Sequence, residues 1–197
     1  MDIGNDIPRL LMRHAHVQVA RLVGSRATAD AHDFSDWDFL VETDDLAAVA
    51  QDLPVLVKPL RPLAQQWDRY ADYACYMLML DGAVKVDFLF VDHPQDWAVP
   101  WQPSRDTLEA IDRHFWDWVV WIEQKRSGSH PEQVPRLFQD MHRLMLEPMG
   151  VTARPTSITE AVTSYIAARD RLEQHYGVTV SRDLEDAVRP VVMGRQQ

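Results

Sequence analysis

The sequence predicts an α+β fold: a small mixed sheet with helices over residues 1–100, followed by a helical domain over residues 101–197. Three observations predict it. Residues 36–42, Asp-Trp-Asp-Phe-Leu-Val-Glu, alternate in the manner of a strand with one apolar face. Residues 73–91 form two apolar runs parted by Asp81-Gly82, a strong turn signal between paired strands. From Thr107 onward the apolar residues recur at three- and four-residue steps, the period of helices that pack on one another.

Taken in order, a first helix is expected over residues 8–20. Proline suits a first helical turn, and Leu11, Ala15, Val17 and Val19 supply an apolar face. Residues 21–23 read as a short strand into a Gly24-Ser25 turn, and residues 37–42 as the next strand. Residues 45–51 fit a short helix capped by Thr43 or Asp44. A strand over 55–57 and a helical turn over 65–70 lead to the hairpin. Pro94, Pro100 and Pro103 punctuate a linker. Helices over 107–126, 131–146 and 157–177 follow, with a short fourth after Ser181. Asp106 with Glu109, and Ser157 with Glu160, have the spacing of capping pairs.

The chemistry concentrates between residues 23 and 91. Strand alternation sends Asp36 and Asp38 to one face and Trp37 and Phe39 to the other. Two adjacent carboxylates repel each other unless a hard cation sits between them, and Mg²⁺ takes oxygen ligands of this kind. On the second hairpin strand, Val84, Val86, Phe88 and Phe90 share one face, while Lys85, Asp87, Leu89 and Val91 share the other. A carboxylate in mid-strand is costly to bury alone. Set beside Asp36 and Asp38, Asp87 completes a three-carboxylate metal site; on an edge strand it simply faces water. Gly24 and Ser25 offer backbone N–H groups and a hydroxyl to a phosphate. Arg26 is placed either to pair with phosphate oxygens or to form an ion pair with Asp30 or Asp33. Lys85 either borders the site or neutralises it.

The arrangement Val23-Gly24-Ser25, then Asp36-Trp37-Asp38-Phe39, then Asp87 resembles the signature of the polymerase-β-like nucleotidyltransferase superfamily. It is most similar to the small bacterial enzymes that adenylylate aminoglycoside and lincosamide antibiotics. The resemblance covers residues 10–92; Thr28-Ala29 stands where many relatives carry a further glycine. It implies transfer of a nucleoside monophosphate, AMP from ATP, to a hydroxyl of a small-molecule acceptor, with two Mg²⁺ ions held by Asp36, Asp38 and Asp87. It also implies that Gly24, Ser25 and Arg26 bind the triphosphate. The Trp-rich stretch from His114 to Lys125 resembles a helix that covers the active site in those relatives, which would bring Trp116, Trp121 and Lys125 to the nucleotide; otherwise the tryptophans are core and Lys125 an ordinary cation near a helix end.

Composition narrows the field. The net charge of −10 is uneven: residues 1–100 hold 16 acids against 8 Lys and Arg, a net of −8, and the remainder carries −2. An extended polynucleotide asks for a basic track, so templated polymerisation and RNA tailing are disfavoured. A small, even cationic, acceptor suits the acidic half better, as does a solvated acidic surface with no partner. The single cysteine, Cys75, reads as a buried apolar residue. Without an apolar leader or a span of about 20 apolar residues, the expectation is a cytoplasmic protein that does not enter a membrane. Two rival readings remain open: a protein side chain as acceptor, as in antitoxin-type adenylyltransferases, and a nucleotide-binding regulator without turnover.

Overall fold

Strand β5 (Val84–Pro94) forms the middle of a five-stranded sheet in the computed structural model, which describes residues 2–28, 31–32, 35–95, 100–128 and 130–194. The other strands are β1 (Val17–Val23), β2 (Trp37–Thr43), β3 (Ala64–Trp67) and β4 (Tyr73–Leu80), in the order β1-β2-β5-β4-β3. All neighbours are antiparallel except β2 and β5, which run parallel. This sheet with α1 (Ile3–Leu11) and α2 (Leu46–Leu56) makes the first of two units, Met1–Ala98; the second, Val99–Gln197, is helical. The architecture is α+β, as the sequence predicts.

The core of the first unit lies on one sheet face. Phe39 and Val41 of β2, Ala74, Tyr76, Leu78 and Leu80 of β4, and Val86, Phe88 and Phe90 of β5 pack there against Ile7 and Leu11 of α1 and Val49 and Leu53 of α2. Tyr76 stacks on Phe88 at 6.4 Å between ring centroids, and Phe39 meets Phe88 edge-on at 6.2 Å. Such ring pairs add to the area burial and fix the lateral position of the strands that carry them.

Several elements differ from the sequence expectation. The first helix begins at Ile3, capped by the Asp2 carboxylate on the Asn5 N–H, and ends at Leu11. Residues 17–20 belong instead to a seven-residue β1, where Val17 is buried and Thr43 Oγ1 ties the adjacent His16 carbonyl to β2. His14 and His16 therefore lie in the connecting turn, bonded to Asp52 and Asp44. Helix α2 runs through Pro54 to Leu56, so residues 55–57 form no strand, and its cap is Asp45, accepting from the Ala48 N–H at 3.0 Å. Residues 64–67 pair antiparallel with β4 rather than forming a helical turn. The hairpin loop holds three residues, because Leu80 pairs with Val84 and both Gly82 and Ala83 have positive φ.

In the second unit α3 (Leu108–Ser127), α4 (Val134–Met141), α5 (Ile158–Tyr176) and α6 (Asp183–Met193) match the expected helices, with a π turn, His142–Leu146, continuing α4. The Ser157 cap on the Glu160 N–H and the left-handed Gly177 bound α5 as the sequence indicates. Asp106 and Glu109 do not form the cap of α3; the Ser104 hydroxyl accepts from the Thr107 N–H, and Glu109 pairs with Arg113. No helix among the described residues is long and apolar enough to cross a membrane.

This unit buries a polar cluster. The Tyr165 hydroxyl donates to Asp112 at 2.5 Å, and Arg169 approaches Asp112 at 3.5 Å and Glu185 at 2.7 Å. Burial raises the Asp112 carboxyl to about 6 against the hydrogen bonds and charge that lower it. An acid raised in the folded state holds its proton more tightly than in the unfolded chain. Its favourable contribution is therefore complete below about pH 4 and lost as pH rises through 6. Asp112→Asn is expected to remove a pH-dependent loss of up to about 3 kcal/mol between pH 4 and 7, measured by denaturant unfolding at both values.

Candidate metal centre

Three carboxylates converge on the sheet face opposite the aromatic core. Phe39 is fully buried and Trp37 packs against the same core, so Asp36 and Asp38 turn the other way. Val86, Phe88 and Phe90 do the same for Lys85 and Asp87 on β5. The parallel ladder sets Asp38 in register with Asp87, and residues in register share a face. One oxygen from each of Asp36, Asp38 and Asp87 lies within 4.8 Å of the others, the one such grouping of metal-type ligands among the described residues.

The three acids are not equivalent. Asp36 and Asp38 are half-buried, whereas Asp87 is 8% exposed. The buried Lys85 ammonium donates to Asp87 Oδ2. Asp87 Oδ1 is buried with no hydrogen-bond partner among the described residues. A buried carboxylate oxygen without a donor carries the full cost of its lost hydration. A divalent cation facing Oδ1 offsets that cost, and the donor set suits one. All three ligands are hard oxygens, which Mg²⁺ prefers. Oxygens around one Mg²⁺ are at most about 4.2 Å apart, and paired ions share a site at roughly 3.5–4 Å separation. A 4.8 Å spread fits either with small side-chain closure.

Gly24 forms the near wall. It follows β1, whose Val23 pairs with Asp38, and has φ of 69° and ψ of −160°. A Cβ built on it would lie 2.5 Å from Asp38 Oδ2. Glycine therefore meets two demands here, a left-handed backbone and an uncrowded carboxylate. Ser25–Ala27 makes one 3₁₀ turn, closed by the Ala27 N–H on the Gly24 carbonyl at 3.1 Å. The N–H groups of Ser25 and Arg26 precede that bond, as the first donors of any helical turn do. Arg26 donates from Nε to the Ser35 carbonyl at 2.7 Å and sits 4.3 Å from the Trp37 ring centroid. It thereby braces the segment entering Asp36; Asp30 and Asp33, the alternative partners named above, lie outside the described residues. Ser35 is buried and accepts on its hydroxyl from the His32 N–H at 3.0 Å.

The remaining candidates belong to the helical unit. Lys125 is half-buried in the last turn of α3. Trp116 is fully buried, edge-on to Phe115 and Tyr165, and is a core side chain of that unit. Trp121 meets Trp118 edge-on at 5.5 Å.

Tyr73 was not singled out by the sequence pattern. Burial, and then the negative charge of neighbouring acidic groups, Asp87 and Asp38 among them, raise its phenol, so it stays a neutral hydrogen-bond donor near the acids. The available signal was its position at the start of β4, two residues from Cys75 and four from Met77, which pairs with Asp87. The buried pairing of Lys85 was likewise only one of two readings of the alternation.

No protein-family model matches the chain, and no curated protein matches its sequence. Among solved structures, it is similar to an aminoglycoside 6-adenyltransferase from Bacillus subtilis, with 7% identity, 93% of each chain covered and a TM-score of 0.35. It is also similar to the polymerase core of TRAMP, an RNA surveillance complex, with 11% identity and a TM-score of 0.37. That match covers 88% of this chain and 56% of the other, so the chain spans little over half of that protein's length.

Gly24→Ala is expected to cost about 1–2 kcal/mol in denaturant unfolding, from the positive φ alone. Because Asp38 must also swing away, Mn²⁺ affinity measured by calorimetry should fall at least about tenfold. Gly82→Ala is the control: its φ is 77° but nothing lies within 4 Å of the added Cβ, so metal affinity should not change.

Proposed function

We propose that the protein is a metal-dependent nucleotidyltransferase that moves a nucleoside monophosphate, AMP from ATP, onto a hydroxyl of a small-molecule acceptor. The observation that carries this reading is the convergence of Asp36, Asp38 and Asp87 within 4.8 Å, next to the Gly24 bend. Asp36 and Asp38 would hold two Mg²⁺ ions together with Asp87. Bound there, the ions neutralise the triphosphate and stabilise the entering and leaving oxygens.

The chain's own groups supply the rest. The Ser25 and Arg26 N–H groups and the Ser25 hydroxyl bind the β- and γ-phosphates, at a bend where glycine lets the backbone come close. The acceptor oxygen forms a bond to the α-phosphorus while the bond from that phosphorus to the bridging oxygen breaks. Pyrophosphate departs, and the acceptor's proton passes to a carboxylate oxygen. Asp87 Oδ1 suits that role or that of a ligand, since it has no competing donor among the described residues. Tyr73, held neutral, donates a hydrogen bond to the acceptor or to a phosphate oxygen. The acidic balance of residues 1–100 favours a compact acceptor without a phosphate backbone, and one carrying positive charge would be drawn to it.

Asp36→Asn and Asp38→Asn are each expected to lower pyrophosphate release from ATP by at least about a thousandfold, with melting temperatures at or above that of the parent. The assay runs ATP and Mg²⁺ against aminoglycosides, lincosamides and other hydroxyl compounds. A folded variant that keeps parental turnover overturns the assignment. Label from ATP appearing on a protein rather than a small molecule would move the acceptor to a protein side chain. Nucleotide binding without turnover across the panel would indicate a regulator.

A further inference from the structure

We infer that Lys85 is a built-in counter-cation of the metal centre: it stands in for part of the metal's charge in the metal-free protein and limits Asp87 to one ligating oxygen. The inference rests on the metal-dependent reading above and deepens it.

The argument starts from burial. Lys85 and Asp87 are 7% and 8% exposed, and lysine is almost never buried without a specific partner. A lysine two residues from an aspartate on one strand shares its face, so this contact is local and survives movement of other elements. Lys85 Nζ engages Asp87 Oδ2 and leaves Oδ1 as the oxygen with no donor among the described residues. The two oxygens of one carboxylate therefore have separate duties. Asp36 and Asp38 stand close by, so Lys85 places an ammonium beside the point where three carboxylates converge. Removing the ammonium would take its positive charge away from Asp87 while the three carboxylates stay within 4.8 Å of one another. The same ammonium repels an incoming divalent cation. Lys85 thus trades metal affinity for a site that is folded before the metal arrives, and it acts as a positioning residue through Asp87.

The test uses the full-length protein, with Mn²⁺ alone as probe, and the variants Lys85→Met and Lys85→Arg. In EDTA, Lys85→Met should melt at least about 4 °C below the parent, since it leaves a buried acid without its partner. Saturating Mn²⁺ should bring its melting temperature back to within about 2 °C of the metal-bound parent, and calorimetry should show Mn²⁺ bound at least about tenfold more tightly. Lys85→Arg, which keeps the charge, should match the parent in both measurements. A Lys85→Met variant that is unfolded in EDTA and folds on adding Mn²⁺ supports the inference as well. A loss of stability that Mn²⁺ does not restore means an ordinary structural ion pair and overturns it. Tightening of Mn²⁺ by Lys85→Arg as large as by Lys85→Met also overturns it, because the charge would not be the cause. If the parent itself binds no Mn²⁺, the metal-dependent reading fails and this inference with it; if the parent binds but Lys85→Met binds no tighter, only this inference fails.

Discussion

The parallel pairing of β2 with β5 is the constraint from which the site follows. It is the one parallel ladder in the sheet, and its register sets Asp38 directly beside Asp87. A shift of one residue would turn one of the two acids into the aromatic core, because side chains alternate along a strand. The register is held from the core side. Phe39 and Phe88 are in register there and meet edge-on, and Tyr76 from β4 stacks on Phe88. The apolar face thereby fixes the position of the charged face. An expensive juxtaposition of like charges is paid for by aromatic packing on the far side of the same strands.

A second consequence concerns the bend at Gly24. β1 is antiparallel to β2, with Val23 opposite Asp38, so the chain leaving β1 must turn away at the level of the acids. Only a residue without Cβ fits, since an added carbon falls 2.5 Å from Asp38 Oδ2. The bend and the acid are thus one steric unit rather than two motif elements. Arg26 extends that unit by binding the Ser35 carbonyl and covering Trp37, which ties both ends of the intervening loop to the same corner. A guanidinium used in this way secures the direction of the backbone entering Asp36.

The acid site was legible in the sequence because it depends on local rules. Alternation alone assigns Asp36 with Asp38, and Lys85 with Asp87, to shared faces, and an Asp-Gly turn announces the hairpin that carries the third acid. What the sequence did not determine were the places where tertiary pairing decides. Residues 64–67 are a strand because β4 offers an edge, not because of their own pattern. Residues 17–20 carry enough apolar spacing for a helix, yet Val17 and Val19 alternate, and pairing with β2 selects the strand. Residues 55–57 follow Pro54, whose missing N–H ordinarily ends a helix, but α2 continues for two further residues before the 3₁₀ turn Lys58–Leu60. Pairwise roles such as Lys85 with Asp87 Oδ2 depend on rotamers, which spacing does not specify.

The unequal burial of the three acids gives the site a direction. Asp36 and Asp38 retain contact with solvent, while Asp87 lies deeper, backed by Lys85 and by Met77 on the adjacent strand. Coulombic interactions strengthen as water is excluded, so a charge placed next to Asp87 is felt more strongly than one next to Asp36. A cation entering from solvent would meet the two half-buried carboxylates first and Asp87 Oδ1, which has no hydrogen-bond partner among the described residues, last. Burial and then the surrounding negative charge, that of Asp87 and Asp38 included, keep the Tyr73 phenol neutral, so it can donate a hydrogen bond without adding charge. Under the proposed chemistry, the half-buried Asp36 and Asp38 would face the highly charged triphosphate and the more deeply buried Asp87 the reacting hydroxyl of the acceptor. That allocation follows the cost of desolvation: a neutral hydroxyl loses less on leaving water than a triphosphate does.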